Sequence, residues 1–142
     1  MVFRKESILE RLKKLESVLA NLDKKSVAVM KQYSHDLDLQ WVVERGLEVA
    51  SSVIFDIGNH ILAGHFKESV EEYEQILHQL AMKKVISNEL YEGLRGMGGF
   101  RNILVHSYLS LDHEIVLEHY KKALTTFPRF IAEIHTWLEE QQ

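Results

Sequence analysis

Residues 42–60 read VVERGLEVASSVIFDIGNH, and the spacing of their apolar side chains decides the fold class. Apolar residues recur here and just beyond at intervals of three and four. They are Val43, Leu47, Ala50, Ile54, Ile57 and Ile61. This period is that of one face of an α-helix. The pattern predicts a long amphipathic helix that begins near Asp38.

The same helical period continues on both sides of this stretch. It predicts a first helix over residues 8–22, a third over 70–80, a fourth from Ser87 toward Tyr108 and a last one over 116–138. Ser87 and Asp112 are candidate N-caps for the last two. Since no segment alternates with a period of two, we predict one all-α domain over 1–142, an up-down bundle of about five helices.

Two breaker residues interrupt this regular pattern. Pro128 lies within the last helix, where the apolar stripe keeps its phase on both sides, so the proline is expected to kink the helix and not to end it. Residues 93–99, GLRGMGG, contain four glycines. Each costs a helix about 1 kcal/mol relative to alanine. Either the fourth helix bends or breaks there, or another group approaches its backbone closely.

Composition limits the classes of function. The 142 residues carry a net charge of −4 and no cysteine, which excludes disulfides and thiolate metal sites. The charged start, MVFRKESILERLKKLE, predicts no signal peptide, and no apolar run is long enough to span a membrane. We expect a cytoplasmic protein. The acidic balance argues against broad clamping of duplex nucleic acid, but it leaves room for a small cationic site on folded RNA.

Residues 101–108, RNILVHSY, place reactive side chains in an otherwise plain helical chain. Arg101 offers a planar fork that matches a phosphate, and His106 exchanges protons near neutral pH. Together they suit cleavage of an RNA phosphodiester without a metal. The histidine would act on the 2′-hydroxyl or the leaving oxygen, and the arginine would stabilise charge on the phosphoryl oxygens.

Helix geometry constrains how these groups cooperate. Arg101 and His106 lie about 140° apart around the helix axis, whereas Asn102 and His106 share a face, so Asn102 could orient the imidazole. Tyr108 could fold back toward the same pocket where the helix ends. A single copy gives a sparse site. Two copies facing each other across a two-fold axis would line one cleft, so the mechanism requires a homodimer as a hypothesis.

Less reactive interpretations remain open for these and other residues. Arg101 could form a surface ion pair, with His106 on the flank of the helix and Tyr108 in the core. Asp56 and His60 lie four apart, which suits a supporting pair around His106, a buried polar pair or part of a metal site; we predict no metal. His113 and His119 are expected to face solvent, and Trp41 and Trp137 to be packing residues.

The motif R-N-x3-H-x-Y, formed by Arg101, Asn102, His106 and Tyr108, resembles the signature of the HEPN superfamily and, more narrowly, of the HepT toxin family. Residues 42–60 are similar to the long second helix of that family, with its acidic residue and nearby histidine. The resemblance covers most of the chain. It implies a homodimeric, metal-independent endoribonuclease without cofactors, in which Arg101 and His106 are catalytic.

The resemblance also implies a toxin–antitoxin pair. The antitoxin would be a nucleotidyltransferase that transfers AMP to Tyr108, and the substrate would be an RNA such as tRNA or mRNA. Asn102, Asp56 and His60 would be supporting residues. Candidates for guiding RNA are Lys83, Lys84, Arg95, Lys121 and Lys122. The alternatives are a non-catalytic module of the same fold that binds a nucleotidyltransferase or a nucleotide, and a purely structural helical dimer.

Overall fold

A computed structural model describes residues 3–141, except for the side chain of Tyr108. Over this range the chain forms seven α-helices and no β-strand, which confirms the all-α prediction. The helices are α1 (Lys5–Lys24), α2 (Ser26–Gln32), α3 (Leu37–Gly64), α4 (Tyr73–Met82), α5 (Asn88–Leu94), α6 (Met97–His106) and α7 (His113–Glu140). Two short 3-10 turns lie at Tyr33–His35 and Tyr108–Ser110.

Helices α1 and α3 pack side by side in opposite directions. The end of α1 contacts the start of α3, where Leu22 lies against Gly46. At the other end, Phe3 lies against Gly64. The six residues of the predicted α3 stripe are all buried, as are the five predicted in α1. The apolar periodicity therefore identified the faces that form the core.

Helix α7 lies antiparallel to α1 and completes the centre of the bundle. The Tyr120 hydroxyl donates a hydrogen bond of 2.6 Å to the carbonyl of Leu22, in the last turn of α1. At the opposite end, the ring of Trp137 lies 5.9 Å from that of Phe3. Helix α7 runs through Pro128 without ending. Apolar contacts dominate this layer, and the Tyr120 bond satisfies a carbonyl that the end of α1 leaves free.

The predicted helix caps are confirmed. The Ser87 hydroxyl accepts a hydrogen bond from the backbone N–H of Leu90 at 3.0 Å. The Asp112 carboxylate accepts one from Glu114 at 2.9 Å. Helix α3 begins one residue before the expected Asp38, and Asp36 caps it. Short polar side chains at these positions compensate backbone donors that the first helical turn leaves unpaired.

The predicted number of helices was wrong, because five were expected where the described residues form seven. Helix α2 buries only Val29, so it has no apolar stripe to detect. The predicted fourth helix is divided into α5 and α6 at Gly96, whose φ is +88°. This left-handed conformation ends one helix before the next begins, so the chain breaks at Gly96, which is one of the alternatives that the glycine-rich segment left open.

Replacing Gly96 with alanine is expected to lower the free energy of unfolding by about 1–2 kcal/mol, because a β-carbon disfavours the left-handed conformation. No other atom lies within 4 Å of the added carbon, so the cost is conformational and not steric. The control is Gly99→Ala, since this exposed residue of α6 also has open space around it. Alanine there should raise stability by about 0.5–1 kcal/mol. Urea unfolding of both variants measures the difference, and an equal response would contradict it.

Candidate active site

Helix α6 lies close to α3 and α4 because of a glycine at the contact. A β-carbon at Gly98 would lie 2.8 Å from the β-carbon of Tyr73, closer than two carbons can approach. The ring of Tyr73 in turn stacks on Phe55 of α3, with the ring centres 4.4 Å apart. Gly98 therefore seats α6 on an aromatic pair, one turn before the reactive segment begins.

Arg101 projects from α6 into the angle between α3 and α4. Its Nε–H donates a hydrogen bond of 3.1 Å to the hydroxyl of Ser52. Its guanidinium carbon lies 5.2 Å from the centre of the Tyr73 ring, within range of a cation–π contact. These contacts hold the partly buried arm, while the two terminal nitrogens have no hydrogen-bonding partner among the described side chains. Those nitrogens form the fork that would bind a phosphate.

The surface ion pair that the less reactive interpretation gave Arg101 is not present among the described residues. Ser52 and Tyr73 hold the side chain instead, and sequence reasoning missed both. The separation of 49 residues between Ser52 and Arg101 leaves no local pattern that links them. The only available signal was that Ser52 lies in the stretch 42–60 singled out as the decisive helix.

Asn102 and His106 are both exposed on the regular part of α6. Their spacing of four places them on one face, one turn apart, as expected. Their side chains do not share a hydrogen bond in the described structure, so the orienting role of Asn102 stays a prediction. His106 is the last residue of α6 and lies where the chain turns into the Tyr108–Ser110 segment. This position leaves the imidazole open to a ligand.

Apolar side chains surround this end of α6. Leu109 is 91% exposed and Ile103 is 42% exposed. Large apolar side chains in water at the edge of a polar site are typical of a surface that contacts another molecule. The predicted position of the Tyr108 hydroxyl lies outside the described residues, because only the backbone of Tyr108 is described.

The structure separates His60 from the motif within one subunit. Its Nε2 accepts a hydrogen bond of 3.2 Å from the backbone N–H of Arg4. Partial burial, followed by the positive charges of Arg11 and Arg4, lowers the pKa of His60, which favours the neutral acceptor form. Helix α6 runs antiparallel to α3, since Gly98 lies near Phe55 and Arg101 near Ser52.

That direction carries His106 away from His60, so the two imidazoles lie toward opposite ends of α3. Asp56 is exposed and lies one turn from Ser52 on the same face. It is therefore the nearer of the two predicted supporting residues to the Arg101 side chain. The supporting role of both residues stays a prediction. In the described part of the chain, no three His, Asp or Glu side chains group closely enough to hold a metal ion.

His119 packs behind the motif, contrary to the expectation that it faces solvent. Its ring stacks on that of Phe100, the residue directly before Arg101. The ring centres are 3.9 Å apart, and the angle between the ring planes is 6°. Burial, followed by the charge of Lys122, lowers the pKa of His119. The neutral ring therefore serves as a packing surface for α6. Trp137 is buried as expected, but the same expectation for Trp41 was wrong, because this side chain is 61% exposed.

The cations predicted to guide RNA are partly engaged elsewhere. The ammonium group of Lys83 lies 2.7 Å from the Glu68 carboxylate, and Arg95 lies 3.1 Å from Glu92. Lys121 and Lys122 are exposed on α7. Lys84 is exposed. Of the helices in the described range, none has the length and apolar character needed to cross a bilayer.

Comparison with known proteins identifies similar chains of this length. The family model described as ribonuclease HepT-like matches residues 8–134. The mRNA nuclease HepT of Shewanella oneidensis is 31% identical over 100 residues, covering 70% of this chain and 75% of that protein. The tRNA nuclease HepT of Aphanizomenon flos-aquae is 28% identical over 131 residues, covering 92% of this chain and 82% of that one.

A solved structure has the same fold. The tri-AMPylated HEPN toxin of Shewanella oneidensis, in complex with the MNT antitoxin, superposes with a TM-score of 0.83. The two sequences are 25% identical, and the match covers 94% of this chain and 99% of that one. The helical arrangement described above is therefore that of a HEPN toxin.

Proposed function

The chain belongs to the ribonuclease HepT-like family, and from this premise we propose that it is a metal-independent endoribonuclease, the toxin of a toxin–antitoxin pair. The observation that carries the proposal is the arrangement on α6. Arg101 is held by Ser52 and Tyr73 with its fork free, and His106 is exposed at the end of the same helix. The named relatives are nucleases acting on tRNA and mRNA, which supports RNA as the substrate, and we propose that the chain acts in the cytoplasm.

Cleavage proceeds by attack of the ribose 2′-oxygen on the adjacent phosphorus. A neutral His106 removes the proton of the 2′-hydroxyl, and the new P–O2′ bond forms as the P–O5′ bond breaks. An imidazolium returns a proton to the departing 5′-oxygen. The products are a 2′,3′-cyclic phosphate and a 5′-hydroxyl. Arg101 binds the non-bridging oxygens and stabilises the charge that develops on them, and Asn102 orients the imidazole.

A homodimer completes the site. One subunit offers one arginine and one histidine on different sides of α6. The reaction needs two proton transfers, and a single histidine gives few groups to carry them out. Two copies related by a two-fold axis would bring two of each to one cleft. The exposed Ile103 and Leu109 beside the motif provide apolar surface for such a contact. Asp56 and His60 of α3 would then support the cleft. In a dimer His60 of one subunit can support the His106 of the other subunit, so it need not reach the His106 of its own chain.

Purified protein is expected to cleave total tRNA or an mRNA transcript in the presence of EDTA, because the proposed chemistry uses only side chains. Denaturing gels would reveal the fragments, and end-group analysis would identify cyclic phosphate and 5′-hydroxyl ends. Cleavage that stops when EDTA is added and returns with Mg²⁺ would contradict the metal-independent mechanism. Absence of cleavage under any ionic condition would favour the non-catalytic binding module.

The partner that we propose is a nucleotidyltransferase-type antitoxin that adds AMP to Tyr108. The support is the similar toxin that was solved AMPylated and bound to its MNT antitoxin. Tyr108 lies two residues after His106, in the turn that ends α6. An adenylate phosphate there would place negative charge where the RNA phosphate binds and would pair with Arg101. Inhibition then follows from occlusion and like-charge repulsion.

Incubation with the cognate nucleotidyltransferase and ATP is expected to increase the intact mass by one or more AMP groups and to abolish cleavage. Tyr108→Phe removes the acceptor oxygen while keeping the ring, so this variant should keep its mass. Mass spectrometry of both proteins makes the comparison. An unchanged mass of the unsubstituted chain would exclude AMP transfer, and inhibition without a mass change would indicate neutralisation by binding alone.

A further inference from the structure

A groove between α1 and α3 combines positive charge with an exposed aromatic ring. We call it the α1–α3 groove. Lys14 and Lys24 of α1 and Trp41 and Arg45 of α3 line its rim, and Val18 and Val49 lie at its floor. None of the residues described as lining it is an aspartate or a glutamate. The groove therefore presents cations and apolar surface without an opposing carboxylate in its walls.

The N-terminal part of the chain carries an excess of positive charge. Residues 1–32 contain eight lysines and arginines but four acidic residues, whereas the whole chain has a net charge of −4. Helix α1, which forms one wall, lies entirely within that basic segment. The acidic surplus therefore belongs to the rest of the chain. This balance favours the approach of a polyanion to the N-terminal part of the chain.

Trp41 gives the groove a second property. Its indole is 61% exposed, an unusual position for a tryptophan in a chain with only two. The neighbouring Arg45 pairs with Glu48 at 3.0 Å, but its side chain is 71% exposed, and such surface pairs contribute little stability. Its guanidinium can therefore exchange this carboxylate for a phosphate. An exposed aromatic face flanked by cations is the arrangement that binds single-stranded nucleic acid, by base stacking and phosphate contacts.

The face of α3 that lines the groove also carries Ser52 of the candidate active site. Trp41, Arg45 and Ser52 lie at intervals of four and seven residues, which places them along one face of α3. Ser52 accepts the hydrogen bond from Arg101, so this face leads directly to the proposed phosphate-binding fork. The eleven residues from Trp41 to Ser52 span about 16 Å of helix. About five nucleotides of a stacked strand, at roughly 3.4 Å each, cover that distance.

From this juxtaposition we infer that the α1–α3 groove binds the single-stranded RNA that flanks the cleaved bond. Trp41 stacks on a base, and Lys14, Lys24 and Arg45 bind phosphates of the same strand. The inference rests on the proposed ribonuclease function and extends it, because it assigns the path of the substrate beyond the reacting nucleotides. It also replaces the guiding cations predicted from the sequence, because none of them lines the groove: Lys83, Lys84, Arg95, Lys121 and Lys122.

The test measures binding of a fluorescein-labelled uridine 12-mer with 2′-O-methyl groups, which the proposed chemistry cannot cleave. Fluorescence anisotropy is recorded for the full chain at several salt concentrations. Trp41→Ala is expected to weaken binding about tenfold, through loss of one stacked base. Lys14→Ala combined with Lys24→Ala should weaken it and reduce the slope of log K against log salt by about 1.4, or about 0.7 per lost phosphate contact.

Matched controls remove similar groups elsewhere. Met82→Ala removes an exposed apolar side chain from α4, and Lys121→Ala with Lys122→Ala removes two exposed charges from α7. Neither should change affinity or the salt slope by more than twofold. If the groove and control variants respond equally while the unsubstituted chain still cleaves RNA, the groove assignment fails and the ribonuclease function stands. If the chain cleaves no RNA yet binds the 12-mer through the groove, the ribonuclease function fails and the groove still stands as a site for single-stranded RNA.

A second copy of this chain is the competing occupant of the groove. Size-exclusion chromatography of Trp41→Ala at micromolar concentration distinguishes RNA binding from contact between subunits. A variant that keeps the oligomeric state of the unsubstituted chain but loses RNA affinity supports the inference. If the variant dissociates into monomers while each subunit keeps its affinity for the 12-mer, the groove is a contact between subunits and the inference is overturned.

Discussion

RNA cleavage by His106→Ala is expected to fall by a factor of about 10²–10⁴, the range that general acid–base catalysis contributes. The imidazole is the only group in the motif that exchanges protons readily near neutral pH, and alanine leaves the 2′-hydroxyl without a base. The side chain is exposed at the end of α6, so its removal should leave the fold and the unfolding midpoint unchanged. Initial rates on a defined RNA, with circular dichroism of the same samples, measure both quantities.

The control is His35→Ala, which removes another exposed imidazole from the 3-10 turn Tyr33–His35. It should cleave RNA at the rate of the unsubstituted chain. Equal loss in the two variants would mean that the decrease comes from a general effect, such as a changed charge or a contaminating nuclease removed during purification. Full activity in His106→Ala would remove the catalytic assignment, whatever the family of the chain.

The sequence predicted the parts of the fold that depend on local periodicity. The stripes of α1, α3 and α7 were identified correctly because burial against a core requires apolar residues at helical spacing. Helix α2 escaped detection because it buries a single residue. The glycines near residue 96 signalled an irregularity, but whether the chain bends or breaks depends on the φ of one residue, which the composition of the segment does not determine.

The candidate site was predictable only as a list of side chains. Arg101, Asn102 and His106 lie close enough along the chain to form a motif, which can be identified from the sequence alone. Ser52 and Tyr73, which hold Arg101, come from two other helices, and only the packing of α6 brings them there. The same limit explains Trp41. An aromatic residue at helical spacing is usually in the core, and its exposure depends on which helices cover α3.

Arg101→Ala is expected to reduce RNA cleavage by a factor of about 10²–10³, with the larger part of the loss in kcat. The guanidinium is proposed to stabilise charge that develops on the phosphoryl oxygens, so it should matter more in the transition state than in the bound substrate. Stability should fall by about 1–2 kcal/mol, because alanine removes both the cation–π contact with Tyr73 and the hydrogen bond to Ser52. Steady-state kinetics and urea unfolding separate these effects.

Arg101→Lys and Arg95→Ala sharpen this test. Lysine keeps the charge but loses the planar fork and the Nε–H that reaches Ser52, so most of the loss should persist if two-pronged phosphate binding is the function. Arg95 lies on the surface beside Glu92, and its removal should leave the rate unchanged. Full rescue by lysine would reduce the role of residue 101 to a point charge, and unchanged kcat in Arg101→Ala would exclude it from transition-state stabilisation.

Mixing the two inactive variants, Arg101→Ala and His106→Ala, tests whether the site is shared between subunits. In a mixed dimer one subunit supplies the remaining arginine and the other supplies the remaining histidine. If these groups act across the two-fold axis, mixing and re-equilibrating the subunits should restore part of the activity, up to one functional pair in each mixed dimer. If both groups act from the same chain, every mixed dimer lacks a complete pair and no activity returns. We expect activity to return. Arg101 and His106 lie about 140° apart around α6, so they point to different sides of their own helix, whereas a second copy can bring the arginine of one subunit to the histidine of the other.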